Sequence, residues 1–413
     1  MPDVIGSTKH SRSASPGRGA PAIVLDGDQR SALAVTRSLG RRGVPVWIAD
    51  STARPLASAS KYACRKLRYP DPASSPDRFL AWLEELDAQH PNSVLFPLTD
   101  ITVPLTLRAA SRIPSLRTAL PSASAYQTAS EKGRLVELAH AVGVRTPRTW
   151  SVTAANRDAL PRSINFPVVV KSSWSAKETA QGIVKRPVRY ALSQRELTNI
   201  VDALFLDSTD ELLIQEYIDG SGAGVFALYD HSTPKFFFSH RRLRERPPSG
   251  GVSVLSESTY PPEEGITAAR RLLDSLNWHG VAMVEFKLDR EGRLWLIEIN
   301  ARLWGSLQLA IDCGADFPWW LYQQALGLPV DPLPHYEVGR RLRWWLGDLD
   351  NLYARLRDSR LTPTLGAKAS AIGEFLLPWS PRTRYEILRW HDPAPGLVAL
   401  GKYVAALRGS KYG

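Results

Sequence analysis

From residue 21 onward, short apolar runs alternate with longer amphipathic stretches. "AIVLDGD" (22–28) is an apolar run that ends in a turn, and "SALAVTRSLGRRG" (31–43) carries apolar residues at helical spacing up to a glycine stop. "VPVWIAD" (44–50) is a second apolar run, "PDRFLAWLEELDAQ" (76–89) is again helical, and "SVLFPLTD" (93–100) is a further strand. Strand, helix and strand in that order predict an open parallel α/β sheet over residues 21–120. "ASEKGRLVELAHAVGV" (129–144) predicts a helix, and "RTPRTW" connects it to the next unit. Between "FPVVVKSS" (166–173) and "EINAR" (298–302) the pattern changes to hairpins with intervening helices, as in α+β folds. Beyond residue 330 it is mixed and mostly helical, as in "RRLRWWLGDLDNLYARLR" (340–357), and no internal repeat is present. The fold class expected is therefore α/β followed by α+β. The segments are a disordered Ser/Gly/Arg-rich tail (1–20), a first unit (21–120), a second unit (121–330) and a small, mostly helical extension (331–413).

The chain has 413 residues, enough for several cores, and 44% of them are hydrophobic, as in globular proteins. No apolar run reaches the roughly 20 residues that span a bilayer, and the polar start has no apolar core for secretion. A cytoplasmic location is expected. Cys64 and Cys313 stand in no metal or redox spacing, so inert, reduced thiols are expected. The net charge of +11 is uneven: residues 340–413 hold thirteen Lys and Arg against six Asp and Glu, and the first twenty hold three against one. The middle is left near neutral, like an ordinary enzyme surface. Trp344, Trp345, Trp379 and Trp390 stand among the arginines of the basic extension. That combination suits an anionic membrane surface or nucleic-acid stacking, and suits still better the packing of a small helical unit on the main body.

The turn "DGDQRS" lacks the three-glycine dinucleotide fingerprint, so Asp50 reads first as an acid closing a strand. Asp26, Asp28, Thr99 and Asp100 fall at strand carboxyl ends, where open α/β sheets bind ligands, and are candidates to grip a substrate.

The most informative stretch is "VEFKLDREGRLWLIEINAR" (284–302). Glu285, Lys287 and Asp289 alternate with Val284, Phe286 and Leu288, and a later arm places Leu294, Leu296, Glu298 and Asn300 on one face. A two-residue turn centred on Glu291 and Gly292 sets Glu285 opposite Glu298. Facing carboxylates, with β-carbons roughly 5 Å apart, destabilise a ladder unless something positive offsets them. Lys287, diagonal to Glu298, could do so without any ligand. It leaves Asn300, a poor strand former, and Arg302 unexplained. Two carboxylates and an amide form an all-oxygen set suited to magnesium, which commonly shares nucleotide phosphates.

This stretch resembles the metal-binding hairpin of the ATP-grasp superfamily: acid, acid, asparagine, then arginine nearby. The resemblance implies that Glu285, Glu298 and Asn300 bind magnesium (two ions, with manganese an alternative) bridging the phosphates of ATP, and that Arg302 meets the transferred phosphoryl group. Other motifs follow in the family's order. Lys171 leaves the strand of "FPVVVKSS" before the loop "SSWSAKETAQG", and Lys132 stands in "SEKGRLVELAHAVGVRTP". Both resemble the family's phosphate-contacting lysines, and residues 172–182 resemble its closing lid. "ELLIQEYIDGSG" resembles the segment that joins the two ATP-grasp lobes, with a hinge near 215–222. Gln215, Glu216 and the backbone of Ile218 then fall at the adenine. Relatives often carry an acid at or near Ser221, where ribose binds, and here the chain departs from them.

"FFFSHRRLRERPPSGGVS" (236–253) offers Arg241 and Arg242 as planar clamps for a substrate anion, although alternation sets His240, Arg242 and Arg244 apart from Arg241. With Asp100 these complete the substrate candidates. The set most resembles the carboxylate–amine ligase branch, which includes D-aspartate ligases, and the carbamoyl-phosphate synthase large subunit. By that resemblance 21–120 is the pre-ATP-grasp domain and 121–330 the two-lobed ATP-grasp domain. The partners implied are a small carboxylate and an amine, such as an amino acid or a cell-wall or polysaccharide precursor. Nucleic acid is not expected as the primary partner. The basic extension leaves peripheral membrane contact open, and an ATP-grasp kinase or carbamoyl-forming enzyme, or a basic binding protein without ligase activity, are the alternatives.

Overall fold

The computed structural model describes residues 19–156, 164–174, 176–179, 182–185, 188–206, 211–248, 250–332, 335–376 and 381–409. All but the last two residues of the expected tail, and Trp379, lie outside them.

The first sheet comprises β1 (Ala22–Val24), β2 (Val46–Asp50), β3 (Ala63–Arg68) and β4 (Val94–Phe96), all parallel in the order β3-β2-β1-β4. Its apolar runs are unbroken because both faces are covered. Ala22 and Val24 pack under α1 (Arg30–Arg41), while Ile23 and Leu25 pack under α2 (Pro76–Gln89) and α3 (Thr102–Ala109).

The acids at its strand ends mostly close turns. Asp26 accepts from the Leu98 amide at 2.9 Å and the Thr102 hydroxyl at 2.5 Å, and Asp28 accepts from the Leu56 amide at 2.9 Å. Asp50 is buried, accepting from the amides of Asp28 and Thr52. Thr99 Oγ1 pairs with Thr102 Oγ1. Of the five, Asp100 alone reaches the groups of the site described below.

After α4 (Ala123–Ser130) and α5 (Lys132–Ala141) come β5 (Thr149–Val152), β6 (Val168–Ser172), the hairpin β7 (Ala176–Thr179) and β8 (Gly182–Lys185), β9 (Arg189–Ala191), α6 (Gln194–Leu206) and β10 (Leu212–Glu216). An antiparallel sheet β5-β10-β6-β9 packs against α6 through Val168, Val170, Leu197 and Val201. The expected lid, 172–182, spans the end of β6 and the β7–β8 hairpin, with residues 175, 180 and 181 outside the described residues. The Ile183 amide of that hairpin donates to the Ala73 carbonyl at 2.6 Å, tying it to the first unit.

The largest sheet runs β15-β14-β11-β12-β13-β16-β17. Its strands are β11 (Gly220–Asp230), β12 (Thr233–Arg246), β13 (Val252–Thr259), β14 (Gly280–Asp289), β15 (Leu294–Asn300), β16 (Arg341–Arg343) and β17 (Thr383–Tyr385). Between them lie α7 (Glu263–Ser275), α8 (Leu307–Asp312), α9 (Phe317–Ala325), α10 (Trp345–Arg357) and α11 (Leu365–Leu376), and α12 (Ala394–Gly409) follows. Period-two alternation gives the sheet two buried faces. Val225, Ala227, Val284 and Phe286 pack on α4, α5 and α7. Phe226, Leu228, Phe238, Val281 and Met283 pack on α8 and α9 in a core that continues to α1 of the first sheet.

The extension is mostly helical as expected, but β16 and β17 also lengthen the large sheet. Trp344 lies between the guanidinium groups of Arg30, at 4.1 Å, and Arg246, at 5.8 Å. Trp390 is fully exposed and Trp345 is partly exposed. No described helix is long and apolar enough to cross a membrane.

Candidate active site

Strands β11, β12 and β14 carry large apolar side chains toward α8 and α9 at one end and change character at the other. On the same face, Phe236 and Phe238 give way to His240 and Arg242, and Val281 and Met283 give way to Glu285 and Lys287. β11 contributes only Gly224 and Gly222 there, and a Cβ at Gly222 would stand 3.5 Å from Arg242. The small residues leave room for a cavity of about 500 Å³ between this face and the β5-β10-β6-β9 sheet.

The hairpin of β14 and β15 forms one wall. Glu285 lies opposite Glu298, but the ladder is not the simple one expected. Its loop has three residues, Arg290–Gly292, with the Gly292 amide donating to the Asp289 carbonyl and Gly292 at φ +79°. That shifts the pairing by one, and a bulge at Ile297 shifts it back, so that Phe286 faces Leu296 while Glu285 faces Glu298. Faces are reassigned accordingly. Leu294 and Leu296 join Ile299 in the core, whereas Glu298 and Asn300 share the cavity face with Glu285.

Lys287, the ligand-free alternative for the counter-charge, does not supply it. Lys287 donates to the Gly220 carbonyl at 3.0 Å, and it is Arg242 that meets Glu285, Nη2 to Oε2 at 2.6 Å, while its Nη1 meets Glu245 at 3.0 Å. Asn300 Nδ2 donates to Glu285 Oε1 at 2.9 Å and Glu298 Oε1 at 3.1 Å. Burial raises the Glu285 carboxyl above the usual range and Glu298 adds to this, against the pull of Arg242. Arg302 pairs through Nε with Asp100 Oδ1 at 2.6 Å and donates from Nη2 to Asn300 Oδ1 at 3.1 Å. Asp100 thus orients Arg302 and itself lines a smaller adjoining cavity of about 80 Å³, with Lys132, Trp174 and Glu298.

The facing wall supplies the lysines. Lys171, at the end of β6, is buried and donates to Gln215 Oε1 at 2.8 Å; Gln215 in turn donates to Thr149 Oγ1 at 3.0 Å. Burial, with Lys132 nearby, pushes the Lys171 ammonium down to about 8. Burial also lowers Lys132, whose charged form Glu298 and Asp100 favour. Glu216 and Ile218 line the same cavity where β10 leads into β11.

Ten of the residues singled out in the sequence therefore converge on one cavity: Lys132, Lys171, Gln215, Glu216, Ile218, Arg242, Glu285, Glu298, Asn300 and Arg302. Arg241 does not. Its side chain points to the opposite face of β12, half-exposed and paired with Glu257 at 2.5 Å, as the alternation required. The sequence reading missed Arg30, His240, Glu245, Trp304 and Ser306, which also line the cavity. His240 Nε2 lies 2.9 Å from Ser306 Oγ, and burial beside Arg242 lowers the ring to about 3, so it is a neutral partner. Only the alternation of His240 with Arg242 hinted at any of these. Arg30 arrives from α1, Glu245 from β12 three residues beyond Arg242, and Trp304 and Ser306 from the turn just after Arg302.

The fold has known counterparts. An L-amino acid ligase from Bacillus licheniformis is similar over 76% of each chain at 16% identity, with a TM-score of 0.59. Biotin carboxylase from Campylobacter jejuni, in a β,γ-ATP complex, is similar over 78% of this chain and 74% of its own at 16% identity and TM-score 0.61. N5-carboxyaminoimidazole synthetase from Staphylococcus aureus with ADP is similar over 78% and 81% at 14% identity and TM-score 0.60. Residues 208–346 match the family model described as "ATP-grasp in the biosynthetic pathway with Ter operon". The chain has the ATP-grasp fold. The matched segment contains β11 to β15, and with them the β14–β15 hairpin bearing Glu285, Glu298 and Asn300.

These residues fit a hard divalent ion. The Asn300 amide bridges both carboxylates, so three oxygen-bearing side chains stand within hydrogen-bond reach of one another, and burial and the like charge of Glu298 raise the Glu285 carboxyl.

Proposed function

We propose that the protein is an ATP-dependent ligase that joins a small carboxylic acid to an amine through an acylphosphate. The observation that carries this reading is the convergence of a facing pair of partly buried carboxylates, an amide, two buried lysines and an arginine on one cavity. In this reading 21–120 is the pre-ATP-grasp domain, 121–330 the ATP-grasp domain hinged near 215–222, and 331–413 an extension.

Gln215, Glu216 and the Ile218 backbone face adenine, and Lys171 and Lys132 neutralise phosphate oxygens. Glu285, Glu298 and Asn300 would hold magnesium, two ions or manganese in their place, which when bound spreads the charge of the phosphates. A carboxylate oxygen of the acid attacks the γ-phosphorus and ADP leaves. The amine nitrogen then attacks the acyl carbon, phosphate leaves, and the amine gives up a proton as the amide forms. Catalysis on this scheme is positioning and charge neutralisation, with Arg302, oriented by Asp100, on the transferred phosphoryl oxygens. The β7–β8 hairpin is suited to exclude water from the acylphosphate. Arg242, neutralised by Glu285 and Glu245, serves the metal site as a counter-charge and the substrate by its remaining edge. An amino acid, or a cell-wall or polysaccharide precursor, in the cytoplasm is the substrate class that fits this chemistry.

A phosphate-release screen with ATP, magnesium, and amino acids and small acids, singly and in pairs, tests the reading. Phosphate release that needs two compounds establishes ligation; ADP formed with one compound and no free phosphate indicates a kinase. Glu298→Gln should abolish ADP formation with unchanged circular dichroism, and undiminished turnover would remove the metal assignment.

A further inference from the structure

The far end of the same sheet carries a second group of donors. Asp230 ends β11 eight residues beyond Gly222, about 26 Å along the strand from the cavity. Asp230 pairs with Thr233 across a two-residue loop, His231–Ser232, whose φ values are +44° and +67°. Such a turn normally uses Asn and Gly, because other side chains are strained in the left-handed region. Here a histidine occupies it. The strained turn brings the His231 ring against His279, which precedes β14, with ring centroids 4.3 Å apart.

Three donor atoms of these residues lie within 4.8 Å of one another. Asp230 Oδ1 is 2.8 Å from His231 Nδ1 and 3.6 Å from His279 Nδ1. A tetrahedral ion with bonds of about 2.0–2.1 Å sets its ligands about 3.3 Å apart, between those two distances. His279 Nδ1 accepts from the His231 amide at 3.3 Å, which puts its proton on Nε2 and leaves Nδ1, 3.6 Å from Asp230 Oδ1, unprotonated; a bound ion would replace this long hydrogen bond. Lys235 stands 3.8 Å from the other Asp230 oxygen and holds the carboxylate from behind. An internal Asp–His hydrogen bond would account for His231 alone. It does not account for a second imidazole nitrogen 3.6 Å from the same oxygen, nor for a strained turn that aims the first.

We propose that Asp230, His231 and His279 bind a transition-metal ion of the zinc type, with water completing the shell. Two imidazoles and one carboxylate select such an ion over magnesium, which the oxygen-only set of the cavity suits. The ion would clamp the β11–β12 turn to the start of β14, and the site is independent of the ligase reading.

Equilibrium dialysis of the full chain against micromolar Zn2+ in excess Mg2+ should give one tightly held ion per chain, and Co2+ in its place should show the visible bands of a four-coordinate site. His231→Asn, which tolerates the left-handed turn, and His279→Gln should each weaken binding by at least about tenfold with unchanged circular dichroism. Absence of stoichiometric Zn2+, or binding by either variant as tight as that of the unaltered chain, would overturn the proposal.

Discussion

Lys171 shows how one residue links packing to a measurable sign. Burial lowers it to about 8 from 10.5, and Lys132 acts in the same direction. Between those values the folded chain has released a proton that the unfolded chain still holds. This group therefore makes stability rise with pH from about 8 to 10.5, and below about 8 its buried charge is a standing cost. Phosphate reverses the preference by favouring the ammonium. ATP binding at a pH between about 8 and 9 should accordingly take up a proton, and affinity should fall as pH climbs through that window. Calorimetry in buffers of different ionisation heat reads the uptake directly. If no proton is taken up, or if Lys171→Met shows the same uptake, the phosphate role of Lys171 is lost. The lysine was legible in the sequence because it leaves an apolar strand. Its burial was not, because the covering groups, Gln215 and Lys132, lie 44 residues downstream and 39 upstream.

At the scale of elements, the β14–β15 hairpin was legible in its consequence and misread in its construction. Alternation and a turn signal were enough to bring Glu285 opposite Glu298. They could not show that a three-residue loop and the Ile297 bulge each shift the register once and cancel. "Glu-Gly" suits either loop, and a bulge has no fixed sequence mark. The clue lay in the apolar pattern itself, since Leu294, Leu296 and Ile299 share a core only if one residue between them is extra. The loop rests on Gly292, at φ +79° with open space where a Cβ would stand. Gly292→Ala should therefore cost about 1–2 kcal/mol by conformation alone, and Gly292→Asn clearly less. Urea midpoints check this. Equal midpoints for the three proteins would mean that the loop tolerates another conformation and that its length does not fix the register.

Across the whole molecule, the first sheet, the large sheet and the extension share one core, and their polar contacts converge on helix α1. Arg30 and Arg37 lie two turns apart on one face of it. Arg30, which lines the cavity, pairs with Glu386 and stacks on Trp344, both from the extension. Arg37 is buried; its Nε donates to Asp392 Oδ2 at 2.8 Å, and its other nitrogens donate to the carbonyls of Glu386, Ile387 and Asp392. Asp392 also accepts from Ser60 Oγ and the Lys61 amide, so this carboxylate joins α1, the loop before β3 and the extension. None of this was readable from local pattern. Arg37 lies within an ordinary helical repeat, and its partner is 355 residues away. Asp392→Asn keeps the shape but leaves the guanidinium without its counter-charge, and such uncompensated burial typically costs about 3–5 kcal/mol. The loss should appear as a lower urea midpoint. Because Asp392 and Arg37 share one interaction, Arg37→Met combined with Asp392→Asn should cost less than the sum of the single changes. Strict additivity, or a single-variant loss below about 1 kcal/mol, would mean that this ion pair does not hold the extension to α1, and that the apolar core alone keeps Arg30 at the cavity wall.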